Sequence, residues 1–498
     1  MAGSRRLVAG WMGALAVLLT LGGAVEAQPE RYELGRRLRL FEAAFEQETD
    51  PAKRARTYPP MNVAVQSFFS LRLGEAGRAM DEARRHLLPL PPTADERWAE
   101  ALYLVVEPRL YDAERCEVAF QLKAFYPPGG SPPAGAVLRF AHLLPDGQRQ
   151  PIHSMLPVRD LPLKGTLVFT DLAEGDGRLE YEVYDDAAQK VLVRGTIGVS
   201  FVKDLESRLT ALQAALEALP AGKSVEESTA RTLAQLLRNL TRKQSPETDF
   251  PAARLLREAE EAVAAAQSEQ SYFGQGKSGQ FWLTLLTGRT RTAIRVMAPP
   301  QAESRQPLPL VLALHGAGGS ENMFFDTYGH GKIVDLCRER GWLLVAPRSG
   351  GFGSAPLSEV IDEVKKLYPV ATERVYVVGH SMGAAQALMN VRQTPERFAA
   401  VAVLGGGRPV QVSEAMKKVA CFVGIGTKDF AYAGAKATGE AFRKAGLPTL
   451  DYREYPQVEH LIIVQIALPD VFKFFDQQAG QARGASGDVG QAENRGQR

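Results

Sequence analysis

The sequence predicts an α/β fold with a mainly parallel sheet over residues 280–477, preceded by a β-sandwich-like module and helical segments. Three observations predict it. From Gln280 to Gln477 short apolar runs alternate with stretches of helical length. Those runs are nearly continuous, as in parallel strands buried on both faces. From about Leu102 to Val202 the apolar period is two, and on both sides of that stretch it is helical.

Length sets the frame. At 498 residues the chain should hold two or three domains, since single cores rarely exceed about 250–300 residues. Lys and Arg number 59 against 57 Asp and Glu, a balance that favours neither nucleic acid nor an anionic membrane as partner. Cys116, Cys337 and Cys421 are too few and too scattered for a disulfide framework or a zinc site. Cys337 and Cys421 read as small buried hydrophobes.

Residues 1–27 read as a signal peptide. Arg5 and Arg6 form the positive start, Leu7 to Leu21 the apolar run, and Val25-Glu26-Ala27 a small-x-small cleavage site. An uncleaved anchor is the alternative, because Leu7 to Val25 nearly reaches spanning length. The expectation is an exported protein (periplasmic, secreted or at the cell surface) with no membrane span after signal removal.

Residues 28–100 should be helical. Leu34, Leu38, Phe41 and Phe45 share a face, Tyr58-Pro59-Pro60 should break the run, and Pro89 to Pro92 marks a boundary. Residues 101–202 form the sandwich module. Cys116, Val118, Phe120, Leu122 and Ala124 alternate with Glu117, Ala119, Gln121 and Lys123, and turn signals such as Pro127-Pro128-Gly129-Gly130 and Asp146-Gly147 separate the runs. The pattern resembles immunoglobulin-like sandwiches in architecture, which carries no function. Residues 203–270 return to helix, with Leu205, Leu209, Leu212, Leu216 and Leu219 on one stripe and Leu233, Leu236, Leu237 and Leu240 on another. Ser271 to Gly279 reads as a polar linker, and residues 478–498 as a disordered tail rich in Gly, Ala and Gln.

Within 280–477, strands are expected at Phe281 to Leu286, Thr292 to Met297, Leu310 to Leu314, Leu343 to Ala346, Val375 to Val378, Ala400 to Leu404, Cys421 to Ile425 and Leu450 to Tyr455. The first two should pair as an edge hairpin. Helices are expected at Met323 to Arg340, Ser358 to Tyr368, Ala384 to Gln393, Ala431 to Ala445 and Leu461 to Phe475.

The chemistry centres on Gly379-His380-Ser381-Met382-Gly383. A strand runs into this G-x-S-x-G pentapeptide and an Ala-rich helix leaves it, the context of a nucleophile elbow. A serine hydroxyl needs a base, and His460 alone among the histidines follows Ser381, on the last β-to-α loop. The base needs an orienting acid, and Asp429 stands at the end of the Val423-Gly-Ile-Gly-Thr-Lys-Asp429 run. Asp451 and Glu454 compete from the next strand, and Glu459 should point away from the imidazole. Oxyanion donors are expected at the amides of Met382 and Ala317, with Gly318 as second choice; Ala317 lies in the strand-loop Leu310-Val-Leu-Ala-Leu-His-Gly-Ala-Gly-Gly-Ser320. His380 reads as structural. Arg348, Phe324, Phe325 and Tyr328 are equally compatible with pocket lining and with packing, and His330 is open.

Taken together, strand-H-G-A-G-G, strand-G-H-S-M-G-A-helix, strand-G-T-K-D and E-H-L-helix resemble the α/β-hydrolase superfamily. The likeness is to secreted esterases of the polyhydroxybutyrate-depolymerase and feruloyl-esterase type and to the carboxylesterase/phospholipase group, over 280–477 only. It implies a serine hydrolase cleaving carboxylic esters through an acyl-enzyme, with Ser381 as nucleophile, His460 as base, Asp429 as acid, and Ala317 and Met382 as oxyanion donors. It implies an ester substrate, small or polymeric, and no metal or organic cofactor. The N-terminal part of roughly 250 residues departs from these compact esterases. A prolyl-oligopeptidase-like peptidase uses the same triad order, but no repeat of about 40–50 residues marks a propeller. A non-catalytic binding protein is the remaining alternative.

Overall fold

The computed structural model describes residues 29–492 except 245, 289 and 350–354; the signal peptide expected at 1–27 lies outside the described residues. The chain forms two compact units that meet in sequence between Tyr272 and Phe273. No described helix is long and apolar enough to cross a membrane.

The first unit opens with α1 (Pro29–Gln47), α2 (Pro51–Phe69), α3 (Leu73–Arg85) and α4 (Ala94–Glu100). Pro59 and Pro60, expected to break the helical run, lie inside α2. The break comes earlier, between Gln47 and Pro51, where the Asp50 carboxylate accepts from the Ala52 amide and caps α2. Burial of Pro60, Met61, Ala64 and Val65 outweighs the two missing amide donors. Next come β1 (Leu102–Val106), β2 (Leu110–Asp112), β3 (Arg115–Ala124), β4 (Ala136–Leu143), β5 (Arg149–Pro157), β6 (Leu163–Thr170), β7 (Gly175–Asp185) and β8 (Lys190–Val202). Among the described residues they form a three-stranded sheet β1-β3-β6 and a five-stranded sheet β2-β8-β7-β4-β5. Alternate residues of β3 (Cys116, Val118, Phe120, Leu122) turn inward to meet Leu138, Phe140, Tyr181 and Phe201 of the other sheet, with the Phe120 and Phe140 rings 4.8 Å apart. The unit closes with α5 (Leu205–Glu217), α6 (Val225–Leu240) and α7 (Ala252–Gln267), which bury most of the expected leucines, though Leu219 and Leu236 are only partly buried. The Asp176 carboxylate of β7 accepts from the amides of Ala253 and Arg254, tying the start of α7 to the sandwich.

The second unit contains β9 (Gly279–Thr287), β10 (Thr290–Ala298), β11 (Leu308–Leu314), α8 (Met323–Asp326), α9 (Tyr328–Arg340), β12 (Leu343–Pro347), α10 (Leu357–Leu367), β13 (Val370–His380), α11 (Met382–Gln393), β14 (Ala400–Leu404), β15 (Ala420–Gly426), α12 (Tyr432–Lys444), β16 (Leu450–Tyr455) and α13 (Ile462–Ala492). Its eight-stranded sheet has the order β16-β15-β14-β13-β11-β12-β10-β9. β9 and β10 form an antiparallel hairpin at one edge, β10 meets β12 antiparallel, and every later pairing is parallel. This crossover order, with helices between the parallel strands, is the α/β-hydrolase fold. All residues of β11, β12, β14 and β15 are buried, which explains their unbroken apolar sequence.

Three sequence expectations differ from this unit. The segment expected as a polar linker at 271–279 is partly packed: Phe273 is buried, its ring 6.2 Å from Phe281, and the Gln275 amide donates to the Leu367 carbonyl. The helix expected from Met323 to Arg340 is interrupted after Asp326, because Tyr328, Gly329, His330 and Gly331 all take positive φ. The last helix runs to Ala492, past 478 where a disordered tail was expected.

Candidate active site

β13 delivers the pentapeptide. Ser381 takes φ 56° and ψ −114°, outside the usual regions for a side-chain-bearing residue, and α11 begins one residue later. Two glycines permit the turn. A Cβ at Gly379 would stand 2.2 Å from the Gly383 carbonyl oxygen, and one at Gly383 would stand 2.1 Å from the Leu314 oxygen. The Ser381 amide is held by the Leu404 carbonyl at 2.9 Å, which fixes the turn to β14.

The hydroxyl of Ser381 lies 2.9 Å from Nε2 of His460. On the other side of the ring Nδ1 lies 2.9 Å from each carboxylate oxygen of Asp429. A carboxylate can only accept, so Nδ1 carries the proton and the lone pair of Nε2 faces the serine. His460 and Asp429 are buried while Ser381 is partly open. The two loops that bring acid and base together are stitched to each other. The Thr427 amide donates to the Tyr455 carbonyl (3.0 Å), the Lys428 amide to the Val458 carbonyl (3.0 Å), and the Gln457 amide to the Thr427 hydroxyl (2.8 Å). A Cβ at Gly426 would sit 2.2 Å from the Val458 oxygen, so this close approach requires glycine. The competing acids are engaged elsewhere: Asp451 pairs with Arg453, and Glu454 accepts from the Tyr432 and Tyr452 hydroxyls.

The loop after β11 lies against the serine. A Cβ at Gly316 would be 3.3 Å from the Ser381 Cβ. His315 is buried and bonds at both ring nitrogens: the Ser349 amide donates to Nε2 (3.0 Å), leaving Nδ1–H to donate to the Gly316 carbonyl (2.8 Å). The Gly319 amide donates to the same carbonyl at 3.1 Å. In a trans peptide the carbonyl of Gly316 and the N–H of Ala317 point opposite ways, so these two bonds aim the Ala317 amide away from His315. Among the described residues neither the Ala317 nor the Met382 N–H has a hydrogen-bond acceptor within the chain. The Met382 amide also sits at the positive end of α11.

Four neighbours complete the site. Glu459 is fully buried, and its carboxylate accepts from the amides of Leu461 and Ile462 at 2.6 Å each, capping the start of α13. Burial pushes its carboxyl up to about 7, although the two amides and His460 oppose the rise. Phe430, next to Asp429, is 50% exposed, and its ring lies 4.2 Å from that of His460. His380 is buried with Nδ1 2.6 Å from the Tyr328 hydroxyl and Nε2 2.8 Å from the His460 carbonyl. Burial first, and His460 second, hold its imidazole well below the ordinary histidine range. Of the residues left open by sequence, Phe324, Phe325 and Tyr328 are buried, and Arg348 is paired to Glu321 (Nη2 to Oε1, 3.0 Å). Sequence reasoning missed the contacts of Tyr328, Glu459 and Phe430. The signals on offer were the Tyr-Gly-His-Gly run and an acid and an aromatic directly beside the expected triad members.

Residues 354–431, which include the pentapeptide and Asp429, match a family model described as "Putative esterase". The C-terminal unit resembles the esterases of the α/β-hydrolase fold. Over 147 residues the chain is 31% identical to the bifunctional acetylxylan esterase/xylanase XynS20E of Neocallimastix patriciarum, a match covering 27% of this chain and 21% of that protein. The chain thus spans about a fifth of that curated relative's length. Similar solved structures include a ferulic acid esterase (19% identity, 41% of this chain and 99% of that one, TM-score 0.36) and the feruloyl esterase module from Clostridium thermocellum (16%, 40% and 88%, 0.36). Est1E from Butyrivibrio proteoclasticus is also similar (15%, 41% and 100%, 0.33).

Proposed function

We propose that this protein is an exported serine hydrolase that cleaves carboxylic esters through an acyl-enzyme. The observation that carries the reading is the hydrogen-bonded series Asp429, His460, Ser381 at the exposed end of the elbow. Ser381 Oγ attacks the ester carbonyl as His460 Nε2 takes its proton. Asp429 holds the ring in the required tautomer and stabilises the imidazolium. The carbonyl oxygen becomes an oxyanion facing the amides of Ala317 and Met382, donors worth about 3–4 kcal/mol each in such sites. The C–O bond to the alcohol breaks, and the proton on Nε2 goes to the leaving alkoxide. Water, deprotonated by the same nitrogen, then attacks the acyl carbonyl and releases the acid and free Ser381.

The family match and the acetylxylan esterase relative support the ester reading. The peptidase alternative gains nothing from the N-terminal unit, whose sheets of three and five strands are not propeller blades. Hydrolysis of p-nitrophenyl esters from acetate to palmitate, with Ser381→Ala alongside, tests the proposal. Turnover with a chain-length optimum that is abolished in the variant is expected. Absence of turnover together with failure of a fluorophosphonate to label Ser381 would overturn it. Export is tested by mass: the mature protein should begin at Gln28.

A further inference from the structure

We infer that Tyr328 and His380 are positioning residues that couple the loop bearing the base to the loop bearing the oxyanion donor. The inference rests on the esterase reading above and assigns work to two buried side chains which that reading does not use.

Proton direction follows from the partners. The His460 carbonyl can only accept, so Nε2 of His380 carries the hydrogen and donates to it at 2.8 Å. Nδ1 is then an acceptor, and the Tyr328 hydroxyl donates to it at 2.6 Å. The tyrosine oxygen accepts in turn from the Gly316 amide, at a longer 3.4 Å. Every bond therefore runs the same way, from Gly316 N–H through Tyr328 O–H and His380 to the His460 carbonyl, and each polarises the next. Gly316 begins the oxyanion loop, and His460 is the base. The imidazole of His460 is thus fixed at its ring by Asp429 and at its backbone by His380. A protonated His380 would present two donors and break the series, and burial keeps it neutral.

The backbone around the relay is shaped to build it. Tyr328 enters through four successive left-handed residues, with φ of 54°, 80°, 57° and 78° at Tyr328, Gly329, His330 and Gly331. Two of these are not glycine, and such strain persists where surrounding packing over-determines it. Both glycines are crowded: a Cβ would lie 2.8 Å from Gln465 Cγ at Gly329 and 2.3 Å from the Phe325 backbone oxygen at Gly331. Across the relay, a Cβ at Gly405 would stand 3.0 Å from His380 Nε2 and 3.1 Å from Asp429 Oδ2.

Tyr328→Phe is the decisive variant. It keeps the ring that packs edge-on against Phe324 (4.8 Å) and His380 (5.0 Å) and removes only the hydroxyl. A loosened base and oxyanion loop should lower kcat by roughly 10–100-fold, the scale of small misplacements of catalytic groups. KM should stay within about twofold, and fluorophosphonate labelling of Ser381 should slow by the same factor as kcat. His380→Gln, which can still donate to the His460 carbonyl, should retain more kcat than His380→Ala at equal KM. Wild-type kcat in Tyr328→Phe would overturn the inference. So would losses that follow the unfolded fraction in thermal melts, or that appear in KM, since these mark mere core packing. If the wild type itself neither hydrolyses esters nor labels at Ser381, the esterase reading fails first and the inference with it.

Discussion

Glu459 makes the stability of the catalytic unit depend on pH in a direction opposite to that of most carboxylates. Its side chain is fully buried beside His460 and Asp429, and burial raises its carboxyl from the ordinary 4.5 to about 7. The folded state therefore holds a proton that the unfolded chain releases. The stabilisation is complete below 4.5 and is lost as pH rises through about 7. The displacement corresponds to about 3 kcal/mol across that window. Glu459→Gln removes the titration while keeping the shape. Like the protonated acid, the amide leaves one of the Leu461 and Ile462 donors poorly satisfied. Urea unfolding of both proteins, followed by tryptophan fluorescence from pH 4.5 to 9, measures the difference. Near pH 4.5 the two should be similar. By pH 8.5 the variant should have gained about 3 kcal/mol relative to wild type. A difference independent of pH would refute the reasoning, because the carboxyl would then not be protonated by burial.

Two more predictions follow from the site. Asp429→Asn places an amide against His460 Nδ1, now 2.9 Å from both carboxylate oxygens, and disfavours the tautomer that serves Ser381. Its kcat on p-nitrophenyl butyrate should fall by about 10⁴-fold with little change in KM, and a fall of less than tenfold would count against Asp429 as the orienting acid. Phe430 is half-exposed against the imidazole that, in the proposed mechanism, protonates the departing alcohol, which would put its ring beside the leaving group. In Phe430→Ala, kcat/KM for phenyl esters should drop relative to ethyl esters by about 1 kcal/mol, or roughly fivefold. Equal losses on both would instead mark the ring as a support for His460.

Sequence exposed what is local and periodic. The strand from Ala400 to Leu404 and that from Leu450 to Tyr455 have the bounds expected from the sequence. β13 runs well beyond Val375 to Val378, back to Val370, because Leu308 of the neighbouring strand supplies a partner across a register shift. Asp429 and His460 were legible because a strand end, a glycine turn and a single downstream histidine restrict the choices. Their mutual distance was not, since it depends on the stitching of 426–428 to 455–458. The prolines of α2 misled because propensity is weighed against burial that only the packed unit reveals. Nothing periodic announces Tyr328: its φ is positive and its partner lies 52 residues away.

The three cysteines have a practical consequence. Cys116, Cys337 and Cys421 are free and buried, so folding places no demand on the redox state of the compartment in which it occurs. Burial pushes the Cys116 thiol up to about 11 and that of Cys421 up to about 12, and raises Cys337 as well. An alkylating reagent therefore meets almost no thiolate until the chain opens. Cys116 lies in β3 of the first unit, Cys337 in α9 and Cys421 in β15 of the second. Peptide-resolved alkylation during mild heating would thus time the opening of each unit separately, with native side chains as the clocks.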